Sequence, residues 1–420
     1  MVLFAVIMLL LLSFLGMPIA WSLGIASLGA LIVDGTYPLT VVAQKSIAGM
    51  NSFALMAVPF FILAGNLMTA GGLTKRLLDI ARVLVGWVRG SVSIICIVGS
   101  CFFGAISGSA IATASAIGGM TMPEMIKEGY DRSYAAAVST GSAICGMLIP
   151  PSIPLIVYAS ITSVSVKDLF LGTLIPGIIY GASLCVVAYF IARKRNYKTH
   201  ERASLKQILT VLKNGVFAII MPVIILGCIF GGITTPTEAS AIAVAYGLLV
   251  GLFIHRDIKF KDLYKIFLDS AITTAVMFML IGISQALGWI VAITNISAIM
   301  TQSLLAFTSS KFIIVCVIIL IGIILGCIMD VVCAVLIITP VLYSFANIIG
   351  YSAPEFGVIL VTLLSLGHLT PPVGASLLLS NSIANARISR TIVNVIPFFC
   401  CGLGLVILLF LCPQLVSALL

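Results

Sequence analysis

The stretches GMLIPPSIPLIVYAS, starting at Gly146, and GHLTPPVGASLLLSN, starting at Gly367, interrupt two apolar runs of this chain in the same way. Each places a Pro-Pro pair four residues after a glycine, at Pro150 and at Pro371, so the two copies lie 221 residues apart. Proline removes an amide donor and clashes with the preceding helical turn, so each copy predicts a helix that is broken inside an apolar segment. Broken helices at matching places in two halves of an apolar chain indicate the binding site of a membrane transporter.

The composition of the chain is typical of a polytopic membrane protein. Of its 420 residues, 61% are hydrophobic and 8% are charged, whereas soluble domains have about 25% charged residues. Apolar runs of about 17 to 25 residues, long enough to cross a bilayer, recur along the chain. The runs are continuous rather than alternating, which favours helices over a β-barrel. The sequence therefore predicts an all-α fold within a membrane.

Charge and motif content exclude several classes of function. The net charge of +9 comes from basic residues in short loops between the apolar runs, which indicates membrane orientation rather than nucleic-acid binding. The 11 cysteines lie mostly inside apolar runs and lack the spacing of a metal site. The chain contains no HExxH, GxSxG or nucleotide-binding P-loop motif, so we predict that it is not an enzyme and does not itself hydrolyse ATP.

The two halves of the chain present the same series of apolar runs. In the first half we predict two short helices within residues 2–33, a span at about 53–68, an interrupted stretch at 91–122, a broken span at 134–162 and a span at about 169–192. In the second half we predict spans at about 216–230, 239–254 and 266–292, an interrupted stretch at 312–345, a broken span at 356–384 and a last span at about 391–411.

The interrupted stretches contain GAISGSA at residues 104–110 and GCIMD at residues 326–330. Gly104 and Gly326 lie 222 residues apart, but Pro123 and Pro340 lie only 217 apart. This difference predicts about five extra residues at the first interruption. Small polar residues suit an extended tip that packs closely against a broken helix.

The basic residues also predict the orientation of the chain. Arg89 and Lys127 flank the first interrupted stretch on both sides, which predicts a re-entrant hairpin that enters and leaves at the cytoplasmic face. Each half then makes about five crossings plus one hairpin, and the odd number inverts the second half relative to the first. Both termini are predicted to lie outside. Between the halves, the basic segment 193–198 and the amphipathic segment 201–214 predict an arm on the membrane surface.

Pairing each hairpin with the broken span of the same half predicts two cation sites. Carbonyl groups freed by a proline break need a partner inside the membrane, such as a cation or water. Oxygen ligands with little charge suit Na⁺ better than a transition metal. A proline kink without a ligand and close packing of small residues are the alternative interpretations. The first predicted Na⁺ site comprises Gly104, Ala105, Ser107, Gly146, Ile149 and Ser152, and the second comprises Gly326, Cys327, Gly367, Thr370 and Val373.

The two predicted sites differ in their side chains. Ile149 and Thr370 occupy matching positions, and only Thr370 offers a hydroxyl, so we expect the sites to be non-equivalent. Asp330 is the one carboxylate deep inside an apolar run, and it could hold a cation, orient the tip, carry a proton or cap a helix. His368 is a further candidate for a direct role. Glu238 has the spacing of a capping box with Thr235 and is interpreted as structural.

These residues resemble the large membrane subunit of the tripartite ATP-independent periplasmic (TRAP) transporters. The resemblance extends from about residue 4 to about residue 410 and rests on an ordered set of motifs. The motifs are GAISGSA at 104–110, MPEM at 122–125, LIPPSIPLIVY at 148–158, ITTPTEASAIAVAYG at 233–247, GCIMD at 326–330 and HLTPPVG at 368–374.

The resemblance implies a fold of the ion-transporter superfamily, in which a transport domain of two hairpins and two broken helices moves against a scaffold like an elevator. On this basis the scaffold would comprise residues 1–90, 166–310 and 387–420, and the transport domain residues 91–165 and 311–386.

The resemblance also implies Na⁺-coupled uptake of an organic acid, such as a C4-dicarboxylate or sialic acid, across the bacterial inner membrane. A periplasmic binding protein would deliver the substrate, and a small four-helix membrane subunit, expected as a separate chain, would brace the scaffold. The substrate would lie near Ser107, Ser109, Asp330 and Asn381. A passive channel or pore-forming subunit is the alternative, and an intramembrane enzyme is a third hypothesis that lacks a catalytic set.

Overall fold

A computed structural model describes residues 1–197, 199, 201–294, 302 and 310–420 of the protein. All regular secondary structure in these residues is helical, because a continuous apolar run in a bilayer must satisfy its own backbone hydrogen bonds. Six of the described helices are long and apolar enough to cross a membrane, or eight if two bent helix pairs are counted as spans. Lys198 of the predicted basic segment and part of the predicted scaffold region 166–310 lie outside the described residues.

In the first half, the chain breaks where glycine, proline or small polar residues interrupt an apolar run. The predicted break in the first run is confirmed at residues 15–18. The helices of this half are α1 (Val2–Phe14), α2 (Ile19–Asp34), α3 (Thr40–Met50), α4 (Ala57–Ala70), α5 (Leu73–Val85), α6 (Ser91–Ser107), α7 (Ala110–Thr113), α8 (Gly119–Lys127), α9 (Arg132–Ala143), α10 (Cys145–Leu148), α11 (Ile153–Thr162) and α12 (Val166–Lys194).

In the second half, the predicted capping box is confirmed: the Glu238 N–H donates to the Thr235 hydroxyl at 3.3 Å, and the Thr235 N–H donates to the Glu238 carboxylate at 2.7 Å. The described helices of this half are α13 (Leu205–Phe230), α14 (Pro236–Leu249), α15 (Phe260–Ile293), α16 (Lys311–Ile328), α17 (Val331–Ile349), α18 (Ala353–Ser365), α19 (Ala375–Ala384), α20 (Ile388–Leu411) and α21 (Gln414–Ser417).

Both predicted interruptions are present as two-residue tips. Gly108 and Ser109 separate α6 from α7, and Met329 and Asp330 separate α16 from α17. The prediction of five extra residues at the first tip is wrong, because the two tips have the same length. The helical segments after the two tips, residues 110–127 and 331–349, are also nearly equal in length, so Pro123 and Pro340 occupy different positions in two hairpins of the same size. The first of these segments contains a π-helical turn at Ala114–Gly118.

Both broken spans are also present. The first consists of α9 and α10 followed by α11, and the axis bends by 40° at the break. The second consists of α18, a 3₁₀ turn at Leu366–Leu369, and α19. The Pro150-Pro151 and Pro371-Pro372 peptide bonds are both cis.

Two sequence interpretations need correction. No helix was predicted at α3, whose polar residues Gln44, Lys45 and Ser46 lower its hydropathy; it forms a bent pair with α4 at an angle of 67°. The predicted separate arm at 201–214 is also wrong, since α13 continues from Leu205 into the predicted span without a break. The reason is that a capping box at Ser204 starts the helix and no proline precedes Pro222 to stop it.

The described helices pack in two groups. The hairpins and broken spans pack on one another, and α12 and α20 pack on them: α12 contacts α6, α10 and α18, and α20 contacts α9 and α18. The second group contains α1 to α4, α14 and α15, with α5 packed on α13 beside it. The predicted boundaries assign α12 and α20 to the scaffold, whereas their packing partners are the hairpins and broken spans.

The connector at residues 195–204 joins α12 to α13. Its first residues are bound to the group of hairpins and broken spans, which we call the hairpin group. The Arg195 guanidinium donates to the Asn394 side-chain oxygen on α20 at 2.6 Å. The Tyr197 ring stacks on Tyr130 with ring centroids 3.9 Å apart. Further along the connector, the Arg202 guanidinium lies over the Trp87 ring, 4.4 Å from its centroid, in the turn after α5.

Candidate functional site

The first break lies against the tip of the first hairpin. The Ile153 N–H donates to the Gly108 carbonyl at 3.2 Å, which joins the start of α11 to the tip. The helices approach so closely that a Cβ at Gly104 would lie 2.8 Å from the Cys145 carbonyl oxygen, and a Cβ at Gly146 would overlap the Thr113 hydroxyl. Any larger residue at Gly104 or Gly146 would push the hairpin away from the break.

The second break repeats this arrangement. The Val373 N–H donates to the Cys327 carbonyl at 3.2 Å, and a Cβ at Gly367 would overlap the Gly326 carbonyl. In both halves, therefore, a backbone hydrogen bond and a glycine–glycine approach hold a hairpin tip against a break. The structure brings together the residues that the sequence paired for each predicted site.

The polar side chains at the two breaks differ in their hydrogen bonding. At the second break the Thr370 hydroxyl donates to the Gly367 carbonyl at 3.2 Å and lies 2.8 Å from the Cys327 sulfur. At the first break Ser152 is fully buried, and its hydroxyl has no hydrogen-bond partner among the residues that the structure describes. An unpaired buried hydroxyl is costly, so a partner from outside the chain would stabilise it.

The remaining residues of the first predicted site line its edge. Ile149 is extended, with its N–H bonded to the Cys145 carbonyl at 2.9 Å. The neighbouring Leu148 carbonyl, freed by the break, accepts from the Thr173 hydroxyl on α12 at 2.9 Å. Ser107 lies at the end of α6 with its hydroxyl 3.4 Å from that of Thr113, and Ala105, two residues earlier, is buried. Thr173 thus satisfies a carbonyl that the sequence analysis left open for a cation.

The chemistry of the donors at both breaks fits a hard monovalent cation. Among the described residues, no three His, Cys, Asp or Glu side chains come together as a metal site. The available donors are carbonyl and hydroxyl oxygens, with the single Cys327 thiol at the second break. Such uncharged oxygen donors match Na⁺ and not a transition metal.

A small cavity of about 20 Å³ lies between the two hairpin tips, and its lining includes two pairs of matching residues. Ser109 and Asp330 are the second residues of the two tips, and Met147 and His368 follow the glycines of the two breaks; both pairs are 221 residues apart. A cavity of this size holds about one water-sized group. The first half therefore contributes uncharged groups to the cavity, and the second half contributes titratable ones.

Asp330 and His368 are held in place by neighbouring groups. The Asp330 carboxylate accepts from the Val332 N–H at 2.9 Å, which makes it the N-cap of α17. The His368 Nε2 lies 3.8 Å from the Asp330 carboxylate, and its Nδ1 lies 2.9 Å from the Ser376 hydroxyl. His368 is almost fully buried, whereas a quarter of the Asp330 side chain is exposed. The carboxylate is thus both a cap and accessible from the cavity.

A second cavity, of about 710 Å³, lies between the first hairpin and helices α4 and α15. Its polar lining includes Ser107 and Ser109 from the hairpin and Asn66 and Thr69 from α4. The cavity is also lined by charged residues: Asp262, Lys265 and Asp269 on α15, and Asp257, which precedes this helix. The volume is within the range of ligand pockets, about 300 to 1,000 Å³.

Asn381 is not brought together with the other predicted substrate residues. Its side-chain amide donates to the Ala386 carbonyl at 2.8 Å, and its side-chain oxygen accepts from the Thr391 hydroxyl at 2.7 Å. Both polar atoms are therefore engaged in the turn between α19 and α20. Sequence reasoning missed Asn66 and Lys265, because a single polar residue in a span carries no spacing signal that places it opposite a hairpin 40 or more residues away.

A comparison with protein families matches residues 6–415 to the family described as "Tripartite ATP-independent periplasmic transporter, DctM component". The chain is similar to an isethionate TRAP transporter permease protein DctMQ of Oleidesulfovibrio alaskensis, with 36% identity over 95% of this chain and 63% of the relative. It is also similar to the sialic acid TRAP transporter large permease protein SiaM of Vibrio cholerae, with 32% identity over 92% of this chain and 90% of the relative. The chain thus spans less than two thirds of the length of the isethionate relative.

Two solved structures have a similar fold. The Alcanivorax borkumensis YdaH transporter has a TM-score of 0.61 and 14% identity, covering 90% of this chain and 89% of that one. The Neisseria gonorrhoeae MtrF efflux pump has a TM-score of 0.60 and 15% identity, covering 89% of this chain and 84% of that one. At these identities the likeness concerns the fold alone.

Proposed function

Because this chain belongs to the DctM, or large permease, family of the tripartite ATP-independent periplasmic transporters and is a multi-pass protein of the bacterial inner membrane, we propose that it carries out Na⁺-coupled uptake of an organic acid. The relatives named above transport isethionate and sialic acid, and others carry the names of C4-dicarboxylate and 2,3-diketo-L-gulonate transporters. All four are small organic anions, which supports an organic acid as the substrate class.

The proposal of Na⁺ coupling rests on the two breaks, and chiefly on the unpaired hydroxyl of Ser152. A Na⁺ ion at the first break would be held by this hydroxyl together with backbone carbonyls of the predicted set Gly104, Ala105, Ser107, Gly146 and Ile149. At the second break, the Thr370 hydroxyl with backbone carbonyls of Gly326, Cys327, Gly367 and Val373 would hold another. Bound Na⁺ would supply positive charge beside the tips, which favours an anionic substrate.

We place the substrate between the hairpin tips and the large cavity, near Ser107, Ser109 and Asp330. Ser109 lines both cavities, so an anion there would be within reach of both hairpins. Asp330 repels an anion unless a cation lies beside it, so its charge would make substrate binding depend on Na⁺. The engagement of both polar atoms of Asn381 argues against its earlier assignment to this site.

An inverted repeat and an elevator movement complete the proposal. Each half contains a hairpin tip bonded to a broken span, and the bent pair α3–α4 together with the shorter helices α1 and α2 allows ten crossings, five in each half. The hairpin group is internally linked, since the Ser380 hydroxyl donates to the Ser139 hydroxyl at 3.1 Å and the Tyr158 hydroxyl donates to the Ala353 carbonyl at 2.8 Å. These bonds join the two halves and support movement of the group as one body.

We revise the domain boundaries on the basis of packing. Helices α12 and α20 lie against the hairpins and broken spans, so we assign both to the transport domain. The Thr173 hydroxyl, which satisfies the freed Leu148 carbonyl, would break its bond at every transport cycle if α12 stayed behind. The scaffold then comprises α1 to α4 and α13 to α15, with α5 linking it to the first hairpin.

Membership of the family implies a periplasmic binding protein and a small membrane subunit as partners. We propose that the binding protein delivers the organic acid and that the small subunit has four helices and packs on the scaffold. Homologues are transporter permeases rather than enzymes. A passive channel remains the second candidate function, and the cavity beside the first hairpin is the observation that favours it.

Uptake by proteoliposomes tests the proposal. The liposomes contain this chain with its small subunit, and labelled organic acid is added with the purified binding protein under an inward Na⁺ gradient or an equal concentration of K⁺. Accumulation above equilibrium that requires both Na⁺ and the binding protein supports secondary transport. Equal flux in both directions without Na⁺ or binding protein would show a channel and reject the proposal.

A further inference from the structure

A surface outside the proposed transport site combines exposed positive charge with exposed apolar side chains. It is formed by the end of α5, the turn after it and the beginning of α13. A Cβ at Gly215 would lie 2.5 Å from the Ile80 side chain, and Arg202 lies over Trp87. The start of α13 therefore lies near the end of α5, and the two segments pack antiparallel. We call this the α5–α13 surface.

The α5–α13 surface is strongly basic. Residues 73–89 and 201–214 contain seven Lys and Arg residues and two acidic residues, Asp79 and Glu201. Arg82 is ion-paired with Glu124 and Arg76 with Asp257. The five other cations are exposed and make no ion pair with any residue that the structure describes; these are Lys75, Arg89, Arg202, Lys206 and Lys213.

Apolar side chains lie among these cations. Leu205 and Leu209, one turn apart on α13, are 79% and 67% exposed, and Leu84 and Trp87 near the end of α5 are each almost half exposed. Exposure of such a cluster to water is unfavourable. At the boundary of a bilayer it is favourable, because tryptophan and leucine side chains can enter the apolar region while lysine and arginine reach the headgroups.

The length of α13 places this surface at the membrane boundary. Its 26 residues correspond to about 39 Å at a rise of about 1.5 Å per residue. The hydrocarbon core is about 30 Å thick, so roughly six residues extend beyond it. The apolar end of the helix, up to Phe230, fills the core, and the excess falls at the end that begins at Leu205, which carries Lys206 and directly follows the segment with Arg202.

We propose that the α5–α13 surface binds the headgroups of anionic phospholipids. Two features favour a lipid over an acidic protein or a second copy of this chain. The unpaired cations are complementary to phosphate and to the net negative charge of such lipids, and the exposed leucines beside them are at the depth of the glycerol and upper acyl region. The proposal is independent of the transported substrate and of Na⁺.

Native mass spectrometry of the purified full chain with its small subunit tests the proposal. The complex is titrated separately with phosphatidylglycerol and with phosphatidylcholine of the same acyl chains. We expect preferential binding of phosphatidylglycerol, and a roughly thirtyfold weaker affinity for it in the double variant Arg202→Gln/Lys206→Gln, at about fivefold for each cation removed. Binding of phosphatidylcholine should not change.

Two further variants keep the test decisive. Lys261→Gln/Arg390→Gln removes two exposed cations near the starts of α15 and α20 and should bind phosphatidylglycerol like the natural chain. Arg202→Lys keeps the charge and should retain most of the affinity. Equal binding of both lipids by the natural chain, or an equal loss in the α5–α13 variant and in the Lys261 and Arg390 variant, would overturn the proposal. If the α5–α13 variant lost binding of both lipids, the effect would be due to apolar contact, and this result would also overturn the proposal.

Discussion

Ser109 and Asp330 cap the helices that leave the two hairpin tips, and both line the cavity between them. The Ala112 N–H donates to the Ser109 hydroxyl at 3.4 Å, and the Val332 N–H donates to the Asp330 carboxylate at 2.9 Å. The same structural task is thus performed by a neutral group in one half and by an ionisable group in the other. The charge of Asp330 is not required for capping, since serine caps helices about as well as aspartate.

This relationship allows charge to be separated from capping at residue 330. In Asp330→Ser we expect the fold to be retained and the Na⁺ dependence of uptake to weaken, with at least about tenfold lower apparent Na⁺ affinity, as for the loss of a contact to a charged group. Uptake measured against Na⁺ concentration gives the result. Asp131→Ser is the matched control, because Asp131 caps α9 by the same kind of bond, to the Tyr134 N–H, away from the tips. Unchanged Na⁺ affinity in Asp330→Ser would exclude a coupling role for the carboxylate.

Ser152→Ala and Thr370→Val should both lower Na⁺ affinity, but only Thr370→Val should lower the stability of the Na⁺-free protein. Ser152→Ala removes a buried hydroxyl that has no partner in the described part of the chain, so the stability of the Na⁺-free protein should be unchanged or higher. Thr370→Val removes bonds to Gly367 and Cys327 and should cost about 0.5 to 1.5 kcal/mol for a typical hydrogen bond. Both should raise the Na⁺ concentration for half-maximal uptake. Thermal unfolding in detergent with and without Na⁺ measures the two effects separately, and Na⁺ stabilisation equal to that of the natural chain in both variants would reject both sites.

Gly367→Ala should separate the second tip from its break. The added methyl group would overlap the Gly326 carbonyl, so we expect a destabilisation of about 1 to 3 kcal/mol, typical of overpacking, and loss of Na⁺ dependence. Gly404→Ala is the control, since a Cβ there meets no atom within 4 Å, and alanine should stabilise this helix by up to about 1 kcal/mol. Membrane insertion, measured as the amount of folded protein extracted, should be retained in both. Normal Na⁺-dependent uptake by Gly367→Ala would contradict a functional role for the close approach of Gly367 to Gly326.

Lys265→Gln should weaken binding of the substrate anion in the large cavity. Lys265 is on α15, which lines one side of this cavity. Lys265 is the one basic residue among the cavity-lining residues that the structure describes, beside Asp262 and Asp269. We expect about fivefold weaker counterflow affinity, on the order of 1 kcal/mol for an exposed charge contact. Lys261→Gln, one turn earlier and outside the lining, should have no effect. Counterflow of labelled substrate from preloaded liposomes gives both values, and equal affinities in the two variants would argue against passage through this cavity.

The arrangement of breaks and tips could be predicted from the sequence because both arise from local chemistry. A Pro-Pro pair interrupts a helix wherever it stands, so the breaks after Gly146 and Gly367 followed directly from the residues. The capping box at Thr235 and the two hairpin interruptions are local in the same sense. Pairing each hairpin with the broken span of the same half then predicted which tip lies beside which break.

Features that depend on tertiary contacts could not be predicted in this way. The proposed reassignment of α12 rests on the bond between the Thr173 hydroxyl and the Leu148 carbonyl, which is recognised only once the helices are packed. The polar amide of Asn381 suggested a substrate contact, but its hydrogen-bond partners after α19 are known only from the three-dimensional structure. The surface arm was wrong because amphipathic spacing at 201–214 describes a helix and does not show where that helix ends.

The connector between α12 and α13 sets a limit on motion. It comprises residues 195–204, and its first residues are held on the hairpin group by Arg195 and Tyr197. Ten residues extend to at most about 33 to 36 Å, and the seven that follow Tyr197 to about 23 to 25 Å. If the transport domain slides against the scaffold, this tether fixes the longest stroke it can make, and release of the Tyr197 stack would lengthen that stroke. The amplitude of transport would then be set by a connector that contributes no residue to the proposed ion and substrate sites.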